Sequence, residues 1–166
     1  MRTSSYCSQW QGSSTPQGAN RIDVLGAWLQ ENGVQVIDRP FLTSNPGTKS
    51  ITIHLSNTDD WGIFIDRRRI PDRVTEYSTL LHEGGHVATG ATHEVSSPFD
   101  LVEKHEYKAN KWAVEHAISE EDLDAAVAGG HTEIWDLAEH FDVTEDLMKK
   151  AVSWYVYGNL ASDLYF

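Results

Sequence analysis

The sequence predicts an α+β fold, and three observations carry that prediction. Short stretches of period-2 alternation occur only between Val34 and Ile65. Helical 3-4 spacing dominates from Val74 onward. Two histidines four residues apart, His82 and His86, fall on the first of the long helices, where that spacing puts both rings on one face. The expected architecture is a small antiparallel three-stranded sheet packed on this helix and the next, followed by a C-terminal helical bundle. The 166 residues suffice for one domain with a core, and 40% apolar residues fit a globular chain.

In chain order, residues 1–20 are rich in Ser, Gln and Gly and read as a mobile tail, in which only Trp10 could dock. Residues 21–166 form the single expected domain. Ile22, Leu25, Trp28 and Leu29 mark an amphipathic helix over Arg21 to Glu31, ended by Asn32-Gly33. Val34 to Ile37 and Ser50 to Leu55 alternate as strands, the second with Ile51, Ile53 and Leu55 on one face. Turn residues Asn57 to Asp60 lead into a third strand, Trp61 to Ile65, so the last two strands form a hairpin. Arg67, Arg68 and Arg69 read as a solvated loop, with a sharper alternative in which they form a basic lip that receives an acidic substrate.

A helix is expected from about Val74 to Thr89, with Val74, Tyr77, Leu81, Gly84 and Ala88 as its buried stripe and Gly90 as its stop. A second long helix runs from about Asp100 to Ile118 on the stripe Val102, Ala109, Ala113 and Ala117. A short acidic helix over Glu120 to Ala128, the break Gly129-Gly130, and helices over Thr132 to Phe141 and Thr144 to Val156 complete the chain.

The chemistry centres on His82-Glu83-Gly84-Gly85-His86, an H-E-x-x-H pattern. His82 and His86 can offer ring nitrogens to one metal ion, and Glu83 can take a proton from water activated there. Chance spacing is the plain alternative. Gly84 and Gly85 each cost a helix interior about 1 kcal/mol relative to Ala, which suggests close approach by a packed neighbour or a substrate strand. Catalytic zinc needs a third protein ligand. His93 is one candidate, but Gly90 and His93 fall one residue late of metzincin spacing, and Met148 lies inside a helix rather than in a Met-turn. Glu106 is the better candidate, because helical rotation at about 100° per residue places it within the stripe of Val102, Ala113 and Ala117. A carboxylate there needs a cation or hydrogen-bond partners. Asn110, one turn on, could orient a ligand.

Leu80-Leu81-His82-Glu83-Gly84-Gly85-His86 resembles the core of the ImmA/IrrE metallopeptidases. Glu106-Tyr107-Lys108-Ala109-Asn110-Lys111-Trp112-Ala113 resembles their E-x-x-A-N-x-F-A segment, with Trp112 in place of Phe. The resemblance spans about Arg21 to Tyr157. Gly84-Gly85 departs from it, as does the absence of Leu-Met-Pro after Ile118. The resemblance implies a zincin-like, gluzincin-type endopeptidase with zinc on His82, His86 and Glu106, and with Glu83 as the catalytic base. It also implies a protein substrate, such as a cognate helix-turn-helix repressor of a mobile element (a phage, for example) or of a stress response. The substrate would lie extended, for instance along Trp61 to Ile65. Tyr77, Tyr107, His105 and His131 are open as oxyanion stabilisers.

The net charge of -12 argues against direct nucleic-acid binding and against anionic membrane surfaces. Cys7 is the only cysteine, so no internal disulfide can form. With neither a membrane-length apolar run nor a signal-like N-terminus, cytoplasmic residence is expected. Two alternatives belong to other classes. Ile134 to Thr144 looks like a helix-turn-helix and would suit a DNA-binding regulator, although Glu145 and Asp146 open its second helix. A zinc-stabilised interaction module without turnover is the other, and Glu83 argues against it.

Overall fold

The structure, a computed structural model, describes residues 20–40, 47–55, 60–91 and 99–160. Residues 1–19 of the expected tail, the tip of the hairpin and His93 lie outside the described residues.

Helix α1 spans Arg21–Glu31 and buries Leu25 and Leu29. Asn20 caps its first turn, its side chain accepting from the Ile22 amide. Arg21 holds this helix against the far end of the chain. Its guanidinium donates to the carbonyl oxygens of Phe141 and, at 2.7 Å, of Ala117, and lies over the Tyr77 ring. Gly33, at φ +75°, turns the chain into the sheet.

Strands β1 (Val34–Asp38), β2 (Ser50–Leu55) and β3 (Asp60–Ile65) form one sheet in the order β1-β3-β2. The hairpin of β2 and β3 is antiparallel, as expected. β1, however, runs parallel to β3, so the sheet is mixed rather than wholly antiparallel. The reason is topological. β2 is antiparallel to its hairpin partner, so β3 returns in the direction of β1 and inserts between the other two. β3 is therefore the central strand and cannot serve as the substrate edge the sequence suggested. Among the described residues the sheet edges are β1 and β2.

Ile63 and Ile65 are fully buried on the inner face of the sheet. Their register partners on β2 are Thr52 and Ser50. The apolar residues Ile51 and Ile53 face outward and remain 44% and 39% exposed. β2 thus inverts the usual arrangement of apolar residues inside and polar residues outside.

The three arginines form a single 3-10 turn, Arg67–Arg69, and carboxylates and carbonyls occupy all three. Arg67 pairs with Glu76 at 2.8 Å and Arg68 with the buried Asp66 at 2.9 Å. Arg69 pairs with Asp66 and donates to the Thr48 carbonyl. Each arginine thus has a carboxylate partner within the fold, Arg67 lying also 3.7 Å from Asp38, while Arg67 and Arg68 remain exposed.

Helix α2 (Arg73–Thr89) starts at Asp72, whose carboxylate accepts from the Thr75 amide, and ends at Gly90 in the left-handed region. Tyr77, Leu81 and Gly84 of the expected stripe are buried, but Ala88 is exposed. Glu83, Gly85 and His86 are buried instead, because the sheet covers one side of α2 and helix α3 (Phe99–Ala117) covers another. Helices α4 (Glu120–Ala128), α5 (Ile134–Phe141) and α6 (Glu145–Tyr157) complete the chain. α6 buries Leu147, Met148 and Ala151, and packs on α3 and α5. The Thr144 amide, at the start of α6, donates to Ser78 Oγ on α2. No described helix is long and apolar enough to cross a membrane.

Candidate metal centre

The backbone contact between α2 and α3 builds the site. A Cβ on Gly85 would lie 2.5 Å from the Ala109 carbonyl oxygen and 2.9 Å from its Cα. Only a residue without a side chain permits this approach. Gly84 is less constrained, since a Cβ there would meet the Trp112 ring at an ordinary 3.5 Å. With the helices this close, Glu106 of α3 reaches the two histidines of α2.

His82 Nε2 lies 3.2 Å from His86 Nε2. Glu106 places Oε2 at 3.3 Å from His82 Nε2 and Oε1 at 3.4 Å from His86 Nε2. A tetrahedral ion with bonds of about 2.0–2.1 Å has ligand-to-ligand edges of about 3.3–3.4 Å. The two ring nitrogens therefore have the spacing of two corners of such a site, each faces one oxygen of the Glu106 carboxylate at a similar distance, and among the described residues these three groups form the one cluster able to hold a metal.

The outer ring nitrogens fix the tautomers. His82 Nδ1–H donates to Asn110 Oδ1 at 3.1 Å, and His86 Nδ1–H donates to the Ala91 carbonyl at 2.7 Å. With both Nδ1 atoms committed as donors, the neutral rings turn bare Nε2 lone pairs toward each other and toward a carboxylate. Three acceptors facing one point require a cation between them. In the absence of metal a proton supplies part of that charge. Burial disfavours a charged His86, but its bonds to Glu106 and Ala91 and the charges of Glu106 and Glu83 outweigh this and raise its pKa. The His82 and His86 rings in turn hold the Glu106 carboxyl well below the usual carboxylate range, despite partial burial.

Glu83 is 6% exposed and turns toward the sheet. Ser50 Oγ donates to its Oε1 at 2.5 Å, and Thr52 Oγ1 donates to its Oε2.

The sequence from residue 29 to residue 153 matches the Peptidase_M78 family model, described as an IrrE N-terminal-like domain. The chain belongs to the ImmA/IrrE metallopeptidase family. No curated protein and no solved structure matches it. In this ImmA/IrrE chain, the residues singled out in the sequence as ligands, His82, His86 and Glu106, come together from two helices. Glu103, the neighbouring carboxylate on α3, is exposed. Asn110 supports a histidine, as its position one turn beyond Glu106 suggested.

Tyr77, Tyr107 and His131, considered for oxyanion stabilisation, make contacts away from the histidine pair. Tyr77 is buried under Arg21, Tyr107 packs edge-on against Trp154, and His131 pairs with Asp136 at 2.9 Å. Three contributors escaped the sequence reading. The Ala91 carbonyl has no side-chain signature. Ser50 and Thr52 could have been noticed as two hydroxyls on one face of a predicted strand.

Proposed function

We propose that this chain is a zinc-dependent endopeptidase in which His82, His86 and Glu106 hold the metal and Glu83 is the base. One observation carries this reading: the two histidine Nε2 atoms and the Glu106 carboxylate face one another, each ring nitrogen within 3.4 Å of a carboxylate oxygen, with both histidine donors turned outward. Two imidazoles and one carboxylate suit zinc and leave a coordination position open. Bound there, the ion would act as a Lewis acid on the scissile carbonyl and make water acidic enough to ionise near neutral pH. Glu83 would accept that proton on a carboxylate oxygen and hand it to the leaving amine.

β2 is the sheet edge beside α2, and it offers backbone groups to an extended segment. The substrate in this reading is a protein, and family resemblance favours a helix-turn-helix repressor in the same cytoplasm. Elemental analysis of protein purified without added metal should find about one zinc per chain. If the neighbouring gene encodes a repressor, coexpression of the two should yield repressor fragments. The Glu83→Gln variant should retain zinc and fold yet produce no fragments. Cleavage by that variant at the wild-type rate would remove Glu83 from the mechanism.

A further inference from the structure

The inverted pattern of β2 has a single destination. An edge strand over a core ordinarily points its apolar residues inward. Here Ser50 and Thr52 occupy inner positions beside the fully buried Ile65 and Ile63, while Ile51 and Ile53 are left outside. Inward hydroxyls need acceptors, and both find the same one, each bonding a different oxygen of Glu83. Thr52 Oγ1 also lies 3.4 Å from the Glu83 carbonyl oxygen, which seats the strand against the helix at this residue.

The geometry follows from strand periodicity. Residues two apart project to one face about 6.6–7 Å apart, wide enough to bracket a carboxylate. One hydroxyl would satisfy part of a buried carboxylate and leave it free to rotate. Two hydroxyls, one per oxygen, fix rotation about its last bond as well. Each oxygen keeps a second lone pair for a further proton. Neither hydroxyl comes from α2, so the orientation of Glu83 is set by the strand that forms the sheet edge and not by its own helix.

We propose that Ser50 and Thr52 are positioning residues for Glu83, holding its carboxylate in the one orientation from which it accepts a proton at the metal centre. This rests on the assignment of Glu83 as base.

The test uses the full chain loaded with cobalt(II) and titrated with acetohydroxamic acid, followed by visible absorption. A hydroxamic acid would bind such a metal as its anion, and the proton released from its O–H would pass to the Glu83 carboxylate. Glu83→Gln should weaken hydroxamate binding without weakening cobalt binding. Ser50→Ala and Thr52→Val should each weaken it on the order of tenfold, as for loss of a group that orients a reacting residue, again with cobalt affinity unchanged. Thr52→Ser, which keeps the hydroxyl, should bind hydroxamate as the wild type does. Wild-type hydroxamate affinity in Ser50→Ala and Thr52→Val, alongside a weakened Glu83→Gln, overturns the proposal and leaves the base assignment standing. Loss of cobalt from the Ser50 and Thr52 variants also overturns it, since their role would then be to support the metal site. Undiminished hydroxamate binding by Glu83→Gln overturns both readings.

Discussion

Asn110 Oδ1 accepts a hydrogen bond from His82 Nδ1 at 3.1 Å, across the interface between α2 and α3. The bond commits the outer nitrogen as donor and frees Nε2 for the metal. Asn110→Ala removes that constraint and leaves the ring free to turn. Zinc affinity, measured by competition with a chelator, should fall by about 10- to 100-fold while the fold persists. An unchanged affinity would mean that packing alone orients His82.

Glu106 should matter more than any neighbour. Glu106→Gln removes a ligand and leaves two lone pairs facing each other, so zinc affinity should fall by more than the roughly 100-fold upper range for an orienting residue. Glu103→Gln should bind zinc normally, because Glu103 is exposed while Glu106 faces the histidines. His93→Ala is the remaining comparison. If that variant is the one that loses the metal, the ligand set named here is wrong.

The adjacent glycines should respond in opposite directions. Ala in place of Gly is worth about 1 kcal/mol in helix propensity. At position 84 the new methyl meets Trp112 at van der Waals distance, so Gly84→Ala should leave stability unchanged or raise it slightly. At position 85 it meets the Ala109 backbone at 2.5 Å, and backbone cannot swing aside. Gly85→Ala should lower stability by about 1–3 kcal/mol or more and displace Glu106 from the histidines. Thermal denaturation with and without zinc tests both, and a Gly85→Ala protein that keeps wild-type zinc affinity would contradict the account of how the site is built.

The metal-free protein should show a pH window. His86 has its pKa raised in the fold, so its stabilisation is full below the unfolded value near 6.5 and is lost as pH rises through the folded value. Glu106 has its pKa lowered, so its stabilisation is present above the unfolded value near 4.5 and is lost as pH falls through the folded value. The stability difference between wild type and Glu106→Gln, both without metal, should therefore be greatest between about 4.5 and 6.5 and shrink on the alkaline side. Zinc should reverse the alkaline limb, because protons compete with the ion for ring nitrogens. Urea unfolding across this range, with and without zinc, measures both limbs. A metal-free difference that grows above pH 7 would contradict the pairing.

Much of this was legible in the sequence because it rests on periodicity and capping. α1 and α4 have the bounds that their spacing and Asn-Gly or Gly-Gly breaks predict, and β2 begins and ends as its alternation predicts. Alternation reports which residues share a face. It does not report strand direction or which face is buried. That is why the parallel pairing of β1 and the inward turn of Ser50 and Thr52 required the structure. The convergence of His82, His86 and Glu106 was legible because i,i+4 histidines and a carboxylate in an apolar stripe both leave marks in sequence. Support from the Ala91 carbonyl was not, since any residue can supply a backbone oxygen. The arginine run is largely exposed, as its reading as a solvated loop expects, but nothing in three consecutive Arg residues reveals Glu76 and Asp66 as their partners.

The clamp made by Arg21 has a consequence for a chain made from one end. Its two hydrogen bonds span 96 and 120 residues. A ribosome adding about 5–20 residues per second takes roughly 6 to 24 seconds to make the later partner after Arg21 itself. Arg21 is thus translated early and fastened late. Through that interval α1 can already pack on β1 and α2, while the Arg21 guanidinium waits for the ends of α3 and α5 to be synthesised.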